Sequence, residues 1–187
     1  MEHDDRGAVL LAIARRSLDE ALCPDREPRV EADPEPPPWL SAPGATFVTL
    51  RRPDGSLRGC LGSLEARRPL IDDLRANTVA AASRDPRFAP VTRDELDGLR
   101  IEVSWLGEPE ALSFEDEASA RRALRPAVDG IVLTYRGHRA TFLPQVWEVL
   151  PEARDFLAQL KHKAGLAPDF WHPEIRLARY TVDKWSE

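Results

Sequence analysis

The sequence predicts the α+β fold class, with a mostly antiparallel β-sheet flanked by helices. Two observations lead to this prediction. Pairs of strand-like segments are joined by short turns at Pro53–Ser56 and at Arg136-Gly137, which is typical of antiparallel hairpins. Segments with helical periodicity stand around these pairs, without the regular alternation of strand and helix that a parallel sheet requires.

The N-terminal half is predicted to contain two helices and one hairpin. Asp4–Leu22 has a capping aspartate and an apolar face at helical spacing. Thr46–Arg52 has the composition of a strand and pairs across the turn with Leu57–Leu61. A second helix begins at Pro69, which suits the first helical turn, and ends before Pro86, which cannot continue it.

The centre of the chain is predicted to hold a short helix and a strand. Thr92 followed by Glu95 is a capping-box pattern, which predicts that a short helix begins there. Leu99–Leu106 alternates: Ile101 and Val103 share one face, and Glu102 points to the other.

The C-terminal half is predicted to contain two helices, a hairpin and a last strand. The helices are Glu115–Arg125 and Glu152–Ala164, and the latter has a clear apolar stripe and a basic last turn. Ile131–Tyr135 and His138–Leu143 form the hairpin, and Ile175–Lys184 is the strand. We expect both hairpins and the central strand to share one sheet, on which the first and last helices pack.

One domain, residues 1–187, is the simplest organisation for a chain of this length. Several of its 17 prolines crowd together after the first helix. Residues 24–45 are therefore predicted to form a proline-rich surface excursion within the domain, with Trp39 as its anchor to the core.

Composition limits the classes of partner and the compartment. A net charge of −6 argues against a broad nucleic-acid surface, which needs clustered Lys and Arg. No apolar run approaches the roughly 20 residues that span a bilayer, so no membrane partner is expected. Two cysteines, with no basic-then-apolar leader pattern, predict a reducing, cytoplasmic location.

Four motifs occur in a characteristic order along the chain. They are LRGCLG at Leu57–Gly62, DPRFAP at Asp85–Pro90, IEVSWL at Ile101–Leu106, and LPQVW at Leu143–Trp147 followed by KAGL at Lys163–Leu166. Together they resemble the AMMECR family, in particular its bacterial and archaeal branch called AmmeMemoRadiSam system protein A. The resemblance covers essentially the whole chain.

The resemblance implies a two-lobed α+β domain with the cysteine motif near a groove between the lobes. It also implies a context, because such proteins are similar to components encoded beside a radical-SAM protein and a MEMO-like protein. These two proteins are therefore the expected partners. The resemblance implies no particular reaction and no cofactor.

Cys60, Arg58 and Glu102 are the candidate catalytic residues. In a regular strand Arg58 and Cys60 point to one face, and a guanidinium beside a thiol favours the thiolate. Glu102 faces away from the apolar side of its strand and resembles a recurrent glutamate of the family, although a nearby carboxylate opposes thiolate formation. The alternative is that Cys60 is a buried packing residue, as free cysteines commonly are.

The candidate ligand-binding residues are Gly59, Gly62, Gln145 and Lys163. The two glycines would let a small ligand or another backbone come close to Cys60. Gln145 could donate a hydrogen bond to a ligand or could start a helix. Lys163, like Lys161, could reach a pocket or could lay its stem on apolar surface with the ammonium in water.

Asp85 and Arg87 are interpreted as residues that hold their own turn together. No pair of histidines has metal-ligand spacing, so no metal site is predicted.

Two main function classes stay open. The first is an enzyme, or an enzyme subunit, that uses a groove around Cys60. The second is a non-catalytic partner or scaffold for the radical-SAM and MEMO-like proteins. RNA binding is the least favoured class, because Gly59–Gly62 matches the GXXG loop of a KH domain but follows a strand.

Overall fold

A computed structural model describes residues 3–25 and 36–187 of the chain. The α-helices are α1 at His3–Leu22, α2 at Leu70–Ser83, α3 at Glu117–Ala123 and α4 at Ala153–Lys163. Short 3₁₀ helices cover Pro38–Ser41, Arg93–Gly98 and Pro144–Glu148. The predicted helices at Asp4–Leu22 and Glu152–Ala164 are confirmed, and the capping box of Thr92 and Glu95 begins the second 3₁₀ helix.

Nine strands complete the described fold. They are β1 at Pro43–Arg51, β2 at Leu57–Gly62, β3 at Arg68–Pro69, β4 at Arg100–Leu106, β5 at Glu110–Ala111, β6 at Gly130–Tyr135, β7 at His138–Phe142, β8 at Arg176–Tyr180 and β9 at Val182–Ser186. Both predicted hairpins, β1–β2 and β6–β7, are confirmed as antiparallel pairs. The α+β class is therefore confirmed.

The chain divides into two units, Met1–Leu106 with Asp183–Glu187, and Gly107–Val182. The first unit contains a five-stranded sheet in the order β2-β1-β4-β9, with β3 paired to β1. Helices α1 and α2 pack on one face of this sheet. The core between them contains Val48 and Leu50 of β1 and Ile101 and Val103 of β4.

The second unit contains a four-stranded sheet in the order β5-β8-β6-β7. Helix α4 contributes Phe156, Leu157 and Leu160 to its core. The ring of Phe156 stacks on that of Trp147, with centroids 3.8 Å apart and planes at 7°. This core is mainly apolar and aromatic.

The expectation of one shared sheet is wrong. The β6–β7 hairpin belongs to the second sheet, and α4 packs in the second unit. The predicted last strand, Ile175–Lys184, is two strands, because β8 pairs with β6 whereas β9 lies beside β4 in the first sheet. Local patterns locate strands, but partner choice depends on contacts between residues distant in sequence.

The prediction for the proline-rich segment is tested only in part. Residues 26–35 lie outside the described residues. After them, Trp39 packs against the first core and stacks on Trp105 with ring centroids 5.5 Å apart, as the anchor role requires. The segment ends earlier than predicted, because β1 begins at Pro43.

Within the described ranges, no helix combines the length and apolar character needed to cross a bilayer.

Candidate functional site

A β-bulge in β2 decides which face of the first sheet carries each residue of the LRGCLG motif. Leu50 pairs with Gly59, but the next residue, Arg51, pairs with Leu57, so Arg58 is an extra residue in β2. A bulge interrupts the strict alternation of side chains. The prediction that Arg58 and Cys60 share a face assumed a regular strand and therefore does not apply.

Cys60 begins a row of side chains that crosses the first sheet. Cys60 pairs with Thr49 of β1, which in turn pairs with Glu102 of β4. The hydroxyl oxygen of Thr49 lies 3.3 Å from the sulfur of Cys60. Because adjacent strands are about 5 Å apart, β2 and β4 are separated by about 10 Å. The two predicted catalytic residues thus share a face but are separated by Thr49.

We call this face, which carries Cys60, Thr49, Arg51, Glu102 and Lys184, the outer face of the first sheet. It is the face opposite to the one that packs on α1 and α2, because Thr49 and Arg51 alternate with the core residues of β1.

Glu102 is held by two cations on the outer face. Its carboxylate accepts a hydrogen bond from Nε of Arg51 at 2.6 Å and lies 2.8 Å from Nζ of Lys184. Burial raises the pKa of Glu102, but the hydrogen bonds from Arg51 and Lys184 outweigh burial and hold the pKa below its ordinary value. Glu102 is therefore an ionised, paired carboxylate, which is a weak base.

Asp85 and Arg87 clamp the backbone of Cys60. The N–H of Cys60 donates to Oδ2 of Asp85 at 2.8 Å, and Nη2 of Arg87 donates to the Cys60 carbonyl at 3.4 Å. Arg87 also binds Asp85 through Nε and Nη2 at 2.9 and 2.6 Å. The Arg87 guanidinium holds the pKa of Asp85 well below its usual range. These residues do hold their own turn, and they also fix the edge strand that carries the thiol.

Arg58 is committed to other partners. It donates to the Glu95 carboxylate at 2.6 and 2.9 Å and to the carbonyls of Ala89 and Pro90 at 2.9 and 3.2 Å. These bonds use four of the five N–H donors of a guanidinium. Arg58 therefore ties β2 to the end of the DPRFAP motif and to the 3₁₀ helix Arg93–Gly98 that follows it.

The cations that interact with the thiol are Arg51 and Arg87. The pKa of Arg51 is raised chiefly by its hydrogen bond to Glu102, with a smaller contribution from Cys60. The pKa of Arg87 is raised chiefly by its hydrogen bond to Asp85, again with a smaller contribution from Cys60. The charged partner of Arg58, in contrast, is Glu95.

The spaces beside Gly59 and Gly62 are filled by the protein itself. A Cβ atom on Gly59 would overlap the carbonyl oxygen of Ala81 in α2. A Cβ atom on Gly62 would overlap the ring of Phe47 and the carbonyl oxygen of Thr46. Gly59 therefore permits the close approach of another backbone, one of the two options the sequence left open, and Gly62 accommodates an aromatic ring.

Gln145 and Lys163 belong to the second unit. Gln145 is exposed within the 3₁₀ helix Pro144–Glu148. Lys163 donates to the carbonyl of Thr141 at 2.9 Å, and its ammonium lies 5.1 Å from the ring centroid of Phe142. Lys163 thus satisfies a backbone acceptor of edge strand β7.

Lys161 departs most from its expected position. It is fully buried, and Nζ lies 3.1 Å from Oε1 of Glu117. Of the two options the sequence left open, an ammonium in water is wrong, because α3 packs against α4 and Glu117 of α3 binds the ammonium.

Both cysteines are free; Cys23 is buried at 1% exposure, whereas Cys60 is half-buried. Among the described residues, no group of three or more His, Cys, Asp or Glu side chains could hold a metal ion.

Sequence reasoning missed four residues of this site: Thr49, Arg51 and Arg87 near the thiol, and Lys184, which pairs with Glu102. A signal for two of them was available. Thr49 and Arg51 alternate with apolar residues in TFVTLRR, which places both on the polar side of β1.

Comparison with known proteins identifies the family. The AMMECR1 family model matches residues 11–185. The chain belongs to the AMMECR1 family. One AMMECR1 relative, a protein of Methanothermobacter thermautotrophicus, is 38% identical over 189 residues, which cover 98% of this chain and 95% of that protein. Protein MJ0810 of Methanocaldococcus jannaschii is 37% identical over 75% of this chain and 72% of its own length.

A solved structure extends the AMMECR1 relationship to the fold. The crystal structure of uncharacterized protein PH0010 from Pyrococcus horikoshii is similar to this chain, with a TM-score of 0.79 and 32% identity. The match covers 98% of this chain and 92% of that one. The names of these AMMECR1 relatives state no reaction or ligand.

Proposed function

We propose that this chain is the thiol-bearing subunit of an enzyme system whose other components are radical-SAM and MEMO-like proteins. Its AmmeMemoRadiSam resemblance suggests these partners. Cys60 is the residue that meets a small ligand on the outer face of the first sheet. The observation that carries the proposal is that the half-buried Cys60 lies in an edge strand whose backbone Asp85 and Arg87 hold fixed. A fixed, accessible thiol beside cations is typical of reactive cysteines.

A subunit role is favoured over a self-sufficient enzyme because, among the described residues, the carboxylates of Asp85 and Glu102 near the thiol are already paired with cations. A cysteine nucleophile usually relies on an adjacent base. Glu102 is separated from Cys60 by Thr49 and is already paired with Arg51 and Lys184. In the proposal Glu102 positions these two cations, and the ligand or a partner protein supplies the base.

The proposal places the system in the cytoplasm. Cys23 and Cys60 are both free, and thiols persist in a reducing compartment.

Alkylation with iodoacetamide tests the thiol in the native chain. Cys23 is the internal control, because it is buried in the first core. Peptide mass spectrometry follows both cysteines in one sample, in buffer and in denaturant. We expect Cys60 in the folded chain to react roughly a hundredfold faster than Cys23, which reacts only through opening of the core. If Cys60 reacts only in denaturant, it is a packing residue and the proposed ligand contact is wrong.

Co-purification of separately tagged components tests the partner assignment. We expect this chain to retain the radical-SAM or the MEMO-like protein encoded beside it. Failure to retain either protein across a range of salt concentrations contradicts the subunit role. If the Cys60→Ser variant retains the partner proteins as well as the wild type does, and the wild type binds no ligand, a non-catalytic scaffold is favoured instead.

A further inference from the structure

The outer face is more positive than the chain as a whole. On the outer face and in the clamp on Cys60, the described cations Arg51, Arg87 and Lys184 outnumber the carboxylates of Glu102 and Asp85; Lys184 lies on β9, beyond Glu102. The whole chain, in contrast, carries a net charge of −6. A local excess of positive charge in an acidic protein attracts anions to that face.

The two guanidinium groups beside Cys60 keep unused donors. The hydrogen bonds of Arg87 to described residues use Nε and Nη2, and those of Arg51 use Nε and Nη1. Nη1 of Arg87 and Nη2 of Arg51 therefore remain for a ligand. The side chains are 53% and 36% exposed, respectively, so solvent reaches them.

Both guanidinium groups are already ordered by a carboxylate. Asp85, whose side chain is 3% exposed, holds Arg87, and Glu102, whose side chain is 14% exposed, holds Arg51. A ligand that binds these arginines does not have to order two flexible side chains, which otherwise weakens binding. The planar guanidinium fork suits carboxylate and phosphate groups.

We infer that the ligand of the outer face is a small anion, whose carboxylate or phosphate group binds Arg51 and Arg87 beside the Cys60 thiol. The inference rests on the proposed function, because it requires an accessible Cys60. It adds the chemical class of the ligand and the two residues that select it.

A pair of alkylating reagents separates charge selection from thiol reactivity. Iodoacetate is anionic and iodoacetamide is neutral, and both react in the same way: the thiolate sulfur forms a bond to carbon while the C–I bond breaks and iodide leaves. The ratio of their rate constants at Cys60 is compared with the ratio for the neutral small thiol N-acetylcysteinamide. We expect Cys60 to favour iodoacetate by about threefold or more over this reference at low salt, with the preference falling as salt screens the charges.

Arginine variants locate the effect. Arg51→Gln and Arg87→Gln each reduce the iodoacetate preference. The control Arg93→Gln removes the same charge from a side chain that lies 3.9 Å from Asp25, and leaves the preference unchanged. If a glutamine variant fails to fold, Arg51→Lys and Arg87→Lys are used in its place. They keep the positive charge and the pairing with Glu102 or Asp85, so we expect them to retain most of the iodoacetate preference.

The outcomes distinguish the inference from the proposal on which it rests. If Cys60 reacts with both reagents and the ratio of their rate constants equals that of N-acetylcysteinamide, Cys60 is an accessible thiol but the anion inference is wrong. Equal loss of preference in Arg93→Gln also overturns it, because the effect then belongs to net charge. Cys60 that reacts with neither reagent in the folded chain overturns both.

Discussion

The two units of the molecule bury charged groups in different ways. In the first unit, Asp73 of α2 is 1% exposed and accepts hydrogen bonds from four residues: Thr46, Ser63, Arg68 and Asn77. In the second unit, Lys161 of α4 is fully buried and has Glu117 as its hydrogen-bond partner. The first arrangement ties several chain segments to one carboxylate, whereas the second depends on one pair.

This difference separates the roles of the two units. The hydrogen bonds of Asp73 connect α2 with β1 and with the segment directly after the LRGCLG strand, so they help to fix the strand that carries the thiol. The second unit gains its order from aromatic packing, as in the stack of Phe156 on Trp147. Changes to single residues should therefore have different consequences in the two units.

The largest loss of stability is expected from Asp73→Ala, because the four residues that donate to Asp73 lose their shared acceptor. We expect the free energy of unfolding to fall by about 3–5 kcal/mol, the range for breaking a buried charged pair. Urea denaturation at neutral pH measures it. Asp72→Ala is the matched control, because Asp72 is exposed in the same first turn of α2. A loss for Asp73→Ala no larger than that of the control would show that the hydrogen bonds of Asp73 are not central to this unit.

In the second unit we expect a smaller loss of stability, which differs between variants of the two members of the Lys161–Glu117 pair. Glu117→Ala leaves Lys161 buried without its carboxylate, and we expect a loss of about 3 kcal/mol. Lys161→Met replaces the buried charge with an apolar side chain and leaves Glu117, whose side chain is 25% exposed, able to meet water. We therefore expect a change within about 1 kcal/mol for Lys161→Met. Urea denaturation of both variants measures the asymmetry, and equal losses would contradict it.

The smallest effect concerns pH and returns to the first unit. Hydrogen bonds from Arg58 and the Thr92 N–H lower the pKa of Glu95 to about 2 in the folded chain. Because the folded-state pKa is depressed, the stabilisation is fully present above the ordinary glutamate pKa of about 4.3 and is lost as pH falls toward 2. The stability difference between wild type and Glu95→Gln should therefore shrink over this interval.

Urea denaturation at several pH values between 6 and about 2.5, where the Glu95 carboxylate begins to protonate, measures this trend. Glu148→Gln, a change of the same type at an exposed position in the second unit, serves as the control. A difference that stays constant across the interval would mean that Arg58 and Glu95 do not act as a charged pair.

Much of the fold could be predicted from local sequence signals. The apolar stripes of α1 and α4, the capping box at Thr92 and the turn before Leu57 each depend on neighbouring residues. The division into two sheets could not be predicted. A single residue, Thr181, separates β8 from β9, yet β8 pairs with β6 and β9 lies beside β4.

The candidate site shows the same limit. Alternation within IEVSWL placed Glu102 on the polar face of β4, and the strand pairing puts Cys60 in the same row. The clamp on Cys60 is a contact with Asp85, 25 residues away, which no local pattern encodes. Arg58 is predicted to share a face with Cys60 because nothing in the sequence indicates the bulge.

That bulge determines the side of the sheet from which the Cys60 sulfur can be reached. The turn fixes Leu57 opposite Arg51. If β2 paired regularly from there, with Arg58 opposite Leu50, Cys60 would lie opposite Val48, a core residue, because side chains alternate at every step. The bulge thus reverses the side from which a reagent approaches the sulfur. Straightening the bulge, with Arg58 kept and paired to Leu50, would move the thiol to the face that packs on α1 and α2 without any change in the sequence.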